Sequence, residues 1–242
     1  MAGRKFWLTV TGLTLLADIA LIAVVWELHD SRTHQLFGDL VSRVERSDSA
    51  IALTFDDGPT AGFTDEVLDI LAGTGTRATF FVIGSDVERH PEEARALVAA
   101  GHELGNHSWS HRPLVLRTPE TVWQEIVRTD SLIRAVGHTG PIHFRPPYGK
   151  KLVVLPWLLD ALDRTTVMWD VEPESDPDVA SDAARIRDHV LENVAPGSII
   201  LLHPFFEARR PTLDALPGLI RDLRSRGYRF VTVSELISDA NG

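Results

Sequence analysis

The chain has 242 residues, 44% of them apolar and 24% charged, a globular composition with room for one domain and a real core. Its formal net charge of -10, with no basic cluster, argues against a nucleic-acid surface. The absence of cysteine excludes disulfides, thiolate metal sites and a cysteine nucleophile.

In chain order, Arg4 and Lys5 precede FWLTVTGLTLLADIALIAVVW, residues 6 to 26, about the length of a membrane-crossing helix. Positive charge before this segment, with Glu27 and Asp30 after it, predicts the N-terminus inside and the rest extracytoplasmic. Asp18 costs about 3 kcal/mol on insertion scales, which the apolar remainder outweighs. With no small-x-small cleavage site, the segment reads as an uncleaved single-pass anchor, residues 1–27. A signal peptide removed on secretion is the alternative, and a buried amphipathic helix competes with both. Residues 28–48 are polar and irregular and read as a spacer. The folded domain is expected over residues 49–239.

From residue 50 onward, short apolar runs alternate with amphipathic stretches. The strand candidates are IALTF (51–55), ATFFVIG (78–84), HELGNH (102–107), IHF (142–144), TTVMW (165–169), SIILL (198–202) and FVTV (230–233). Between them lie helix-like segments, several ending in glycine. Such alternation means βα units and a parallel sheet. About seven units with short loops favour a barrel related to the TIM type over an open sheet.

Polar residues then collect at the carboxyl ends of these runs. Asp56 and Asp57 follow the first, His107 and His111 the third, Arg145 and Tyr148 the fourth, Asp170 and Glu172 the fifth, and His203 the sixth. In a parallel βα array all of these lie at the edge where such folds place their sites. Alone, Asp-Gly at 57–58 is an ordinary turn. A neighbouring cation, however, would account for two adjacent carboxylates. NHSWSH spaces His107 and His111 four apart, which on a helical turn puts both imidazoles on one face. Adding one carboxylate makes a two-His, one-Asp set with an open position, as in catalytic zinc sites or non-haem iron(II) sites. The other carboxylate is then available as a base. The prolines of FRPPYG hold Arg145 and Tyr148 rigidly, Arg145 to pair with a carboxylate and a nearby backbone N–H to face an oxyanion. His203 ends an apolar run and is placed to protonate a leaving amine.

TFDDGP, HSWSH, RPPYG and LLH together resemble the polysaccharide deacetylase family, the NodB-homology or carbohydrate esterase family four domain, over roughly residues 48–237. The resemblance implies a distorted (β/α)7 barrel and metal-dependent removal of N- or O-acetyl groups from a sugar. It makes Asp56 the general base and Asp57, His107 and His111 the ligands of a divalent metal, usually zinc and sometimes cobalt. Arg145 would hold Asp56, the Tyr148 amide would stabilise the oxyanion, and His203 would be the general acid. The family's fourth motif, Asp-x-x-Asp-Trp, is replaced here by WDVEPESDP. Asp170 and Glu172 are the candidate partners of His203. The expected partners are an acetylated cell-wall or extracellular glycan and a membrane. Two other readings compete: a glycan-binding domain that keeps the metal without turnover, and an iron(II) oxygenase.

Overall fold

The computed structural model describes residues 18–20 and 22–238. The expected anchor, residues 6–26, therefore lies mostly outside the described residues. Among those described, no helix is long and apolar enough to cross a membrane.

Strands and helices alternate along the chain as expected. The strands are β1 (Leu40–Val41), β2 (Ala50–Asp56), β3 (Thr79–Val82), β4 (Glu103–Asn106), β5 (Thr166–Val167), β6 (Ile199–Leu202) and β7 (Arg229–Val231). The helices are α1 (Phe63–Thr74), α2 (Gly84–Arg89), α3 (Pro91–Ala99), α4 (Pro119–Ala135), α5 (Val154–Ala161), α6 (Pro177–Ala180), α7 (Ala183–Asn193), α8 (Arg210–Ser225) and α9 (Val233–Ser238). All strand pairings are parallel: β4-β3-β2-β6, with β7 also on β2, and β1 on β5. Single bridges carry the circuit onward, from Asn106 through Phe144 to Thr166 and from Val171 to Ile200. The result is an α/β fold around a parallel sheet, consistent with the distorted barrel. Of the expected strands, residues 142–144 contribute only the bridge at Phe144.

Residues 40–46 are not the detached spacer that their polarity suggested. Leu40 and Val41 form β1 against Thr166 and Val167, and the Val44 N–H donates to the Gly197 carbonyl at 3.0 Å. Only glycine fits at 197: its φ is +82°, and a Cβ there would lie 1.6 Å from the Val44 oxygen.

The two-residue period of a strand decides which side chains reach the site. In β2, Ile51, Leu53 and Phe55 point outward into a layer with Val67, Leu71, Leu216 and Leu219 from the helices. Ala50 and Ala52 point inward, with Phe81, Ile199, Leu201 and Trp169. The same inward parity continues to Thr54 and Asp56 on β2, from Gly105 to His107 past β4, and from Leu201 to His203 past β6. Small residues at 50, 52 and 105 make room for large ones opposite. A Cβ on Gly105 would sit 2.5 Å from the Phe81 ring.

Candidate active site

The inward-pointing ends of β2, β4 and β6 meet at one cavity of about 460 Å³. Asp56, Asp57, His107, His111 and His203 all line it. Asp56 is buried and held by Arg145, whose Nη1 donates to its Oδ1 at 2.6 Å. Arg145 is 0% exposed and spends its other donors on Thr54 Oγ1 and the carbonyls of Val167 and Met168. Its guanidinium carbon lies 4.0 Å from the Phe81 ring centre. Burial pushes the Asp56 pKa up, but the charge of Arg145, with His107 and His203, holds it below the ordinary range. A full set of partners makes this a fixed, ionised carboxylate.

Asp57 reaches the same cavity because the chain reverses there. Its φ is +71°, a left-handed conformation uncommon outside glycine. Asp57 Oδ1 is buried with no hydrogen-bond partner. It faces His111 Nε2 at 3.4 Å and His107 Nε2 at 4.0 Å. One ligand atom from each of the three residues lies within 4.8 Å of the others. His107 Nδ1 sits 2.7 Å from the Arg145 carbonyl, so Nδ1–H is the donor and the Nε2 lone pair is left facing the cavity. Burial pushes the His107 pKa down, which favours that neutral form.

His107 and His111 do not share a helical turn, as their spacing suggested. The segment is a loop in which Ser108 and His111 both take left-handed φ, 65° and 56°. Their rings still come together, 4.9 Å between centroids. Glu125 on α4 holds the loop, accepting from the backbone N–H groups of Trp109 and Ser110 at 2.9 and 2.8 Å and from Ser110 Oγ at 2.7 Å. Asn106 fixes its start, accepting from Ser108 N–H at 2.8 Å and donating to Asp130. No sequence signal marked Glu125, which sits on the inner face of an ordinary amphipathic helix.

Tyr148 stands beside His111, with ring centroids 4.7 Å apart and a φ of 58°. His203 is paired differently from the expectation. Its partner is Glu174, with Oε2 2.6 Å from His203 Nδ1, and Glu174 also accepts from Thr212. Burial opposes charge on His203, but the bond and charge of Glu174, with Asp56 and Asp57 beyond, push its pKa up to about 9. Asp170 instead accepts from Ser198 Oγ and the Ile199 N–H, both at 2.8 Å, and ties β6 to the end of β5. Glu172 accepts from Arg32 at 2.7 Å and from Trp169 Nε1 at 2.8 Å, forming part of the cavity wall. A short turn at Pro173–Ser175 brings Glu174 inward where Glu172 was expected.

The chain matches the Polysaccharide deacetylase family over residues 43–167. It is 36% identical over 193 residues to the peptidoglycan-N-acetylmuramic acid deacetylase PdaC of Bacillus subtilis, covering 80% of this chain and 40% of that protein's length. The crystal structure of the Bc1960 peptidoglycan N-acetylglucosamine deacetylase superposes with a TM-score of 0.76 at 31% identity, covering 81% of this chain and 91% of that one. A carbohydrate esterase family four pseudoenzyme from Bacillus anthracis superposes at 0.73 with 25% identity, covering 81% of this chain and 68% of that one. The chain belongs to the polysaccharide deacetylase family.

Proposed function

We propose that this chain is a metal-dependent hydrolase that removes acetyl groups from N-acetylated, or O-acetylated, sugars of a cell-wall or extracellular glycan. The observation that carries the reading is the buried, unbonded Asp57 Oδ1 facing two histidine nitrogens. The donor set of one carboxylate and two imidazole nitrogens fits a divalent ion, zinc foremost and cobalt as an alternative. Asp57, His107 and His111 would hold it, and the ion would supply Lewis acidity and an acidified water.

The protein's own groups do the rest. Asp56 accepts the proton of the attacking water as the new C–O bond forms at the acetyl carbonyl. Arg145 keeps Asp56 ionised and aimed. The Tyr148 backbone N–H is the candidate donor to the developing oxyanion. His203, charged and oriented by Glu174, gives its proton to the sugar nitrogen as the C–N bond breaks, releasing acetate and a free amine. Asp170 and Glu172 have no role in proton transfer in this reading.

The pseudoenzyme relative gives weight to a second reading, a glycan-binding domain without turnover. The intact base, acid and ligand set argues for turnover. The test is acetate release from acetylated glycans by the full chain with Zn2+, with chelator, and as Asp57→Ala. Release that is lost with chelator and in the variant supports the hydrolase. Glycan binding with no release under any divalent metal would sink it. For location, we propose an extracytoplasmic domain anchored through residues 6–26, supported by their hydropathy and flanking charges. Protection of the domain from external protease in spheroplasts would refute that placement.

A further inference from the structure

Two arginines line the cavity, and among the described residues one is paired and one is not. Asp56 is matched by Arg145, and Glu172 by Arg32, whose guanidinium also lies 4.8 Å from the Trp169 ring centre. Asp57 faces His107 and His111. Arg209, which lines the same cavity beside Phe206, has no hydrogen-bond or ion-pair partner for its side chain among the described residues. It is only half-buried, so nothing in the fold demands its charge. Its neighbour Arg210 does the structural work, bound to Glu66 at 2.6 Å.

We infer that Arg209 is a specificity-determining residue that receives a carboxylate of the substrate, carried by the acetylated sugar or the sugar next to it. A planar guanidinium with free donors matches a carboxylate in two parallel hydrogen bonds, a geometry that a neutral hydroxyl cannot repeat. A neutral glycan would leave Arg209 solvated and gain little. The inference rests on the deacetylase reading and narrows its substrate to an anionic glycan. A lactyl ether and a uronic acid both present this chemistry.

The test uses the full chain with Zn2+ and four probes. These are a peptide-free fragment of alternating N-acetylglucosamine and N-acetylmuramic acid, its methyl ester, an acetylated uronic-acid oligosaccharide, and a chitotetraose. Both KM for acetate release and Kd by calorimetry are measured. The expected result is that Arg209→Gln raises KM and Kd roughly 10- to 100-fold on a free-carboxylate probe. It should leave kcat and the chitotetraose values unchanged, and Arg209→Lys should recover part of the loss. Which carboxylate probe responds tells the lactyl source from the uronic one. The inference is overturned if esterification leaves wild-type affinity unchanged, or if Arg209→Gln weakens neutral and charged probes alike. If no probe releases acetate, the deacetylase reading fails, while the Kd values still decide the role of Arg209.

Discussion

Two sides of one cavity are built by different means. On the side proposed to hold the metal, Asp57, His107 and His111 come from contiguous motifs and converge through left-handed turns at Asp57, Ser108 and His111. On the acid side, His203 is directed by strand parity, but its partner Glu174 arrives from a separate three-residue turn. The metal side is rigid because backbone turns and Glu125 enforce it. The acid side depends on one contact, Glu174 with His203 at 2.6 Å. A motif can therefore be altered on the acid side without disturbing the metal side.

Four experiments would break or sharpen that contrast, beginning with the largest effect. Asp57→Ala should lose bound divalent metal by elemental analysis and bring acetate release to background; retention of both would remove the metal side altogether. Asp56→Asn should keep the metal and lower kcat by about 10²–10⁴-fold, as expected for loss of a general base. Glu125→Gln should loosen the histidine loop and weaken metal binding by about 10–100-fold in chelator competition, a typical cost for an outer partner. An unchanged metal affinity would mean that the loop turns stand without α4.

Glu174→Gln should act on pH dependence with the metal still bound. His203 must be protonated to act as an acid, so activity falls as pH rises through its pKa of about 9 in the native protein. Removing the Glu174 charge lowers that pKa, and the alkaline limb of kcat should move to lower pH. Stability follows the same sign. The folded-state pKa is raised, so the stabilisation is full below about 6.5 and is lost as pH rises toward 9. Glu174→Gln should flatten the urea midpoint across that window; an unmoved profile would assign the limb to another group.

Much of the site was legible because it obeys local rules. Asp56, His107 and His203 are placed by the period of a strand and by the carboxyl edge of a parallel sheet. Arg145 was legible from its rigid Pro-Pro neighbourhood, as was its pairing with Asp56, although its other acceptors, Thr54 and the carbonyls of Val167 and Met168, were not. The misses share a cause. Glu174 depends on the bridge between Val171 and Ile200, followed by a turn at Pro173, which only the folded sheet sets up. The His107–His111 spacing suggested a helix because four-residue spacing has the same appearance in a loop held by a distant helix. Leu40 and Val41 looked like spacer because two residues carry no periodicity, and their pairing with β5 is a contact across more than a hundred residues.

The path of residues 29–46 has a mechanical side. Lys151 N–H donates to the His29 carbonyl at 2.9 Å and Arg32 grips Glu172 at the cavity rim. Farther along, β1 lies on β5 and Val44 is fastened to Gly197. Tension on the chain from its N-terminal side would meet these fastenings in series, with the rim contacts first. Those contacts are few and partly solvated, whereas the later ones are seated in the sheet. Arg32 thus holds Glu172 and Trp169, two residues of the cavity wall, from outside the barrel. The segment that leads into the domain is therefore also part of the rim of its cleft.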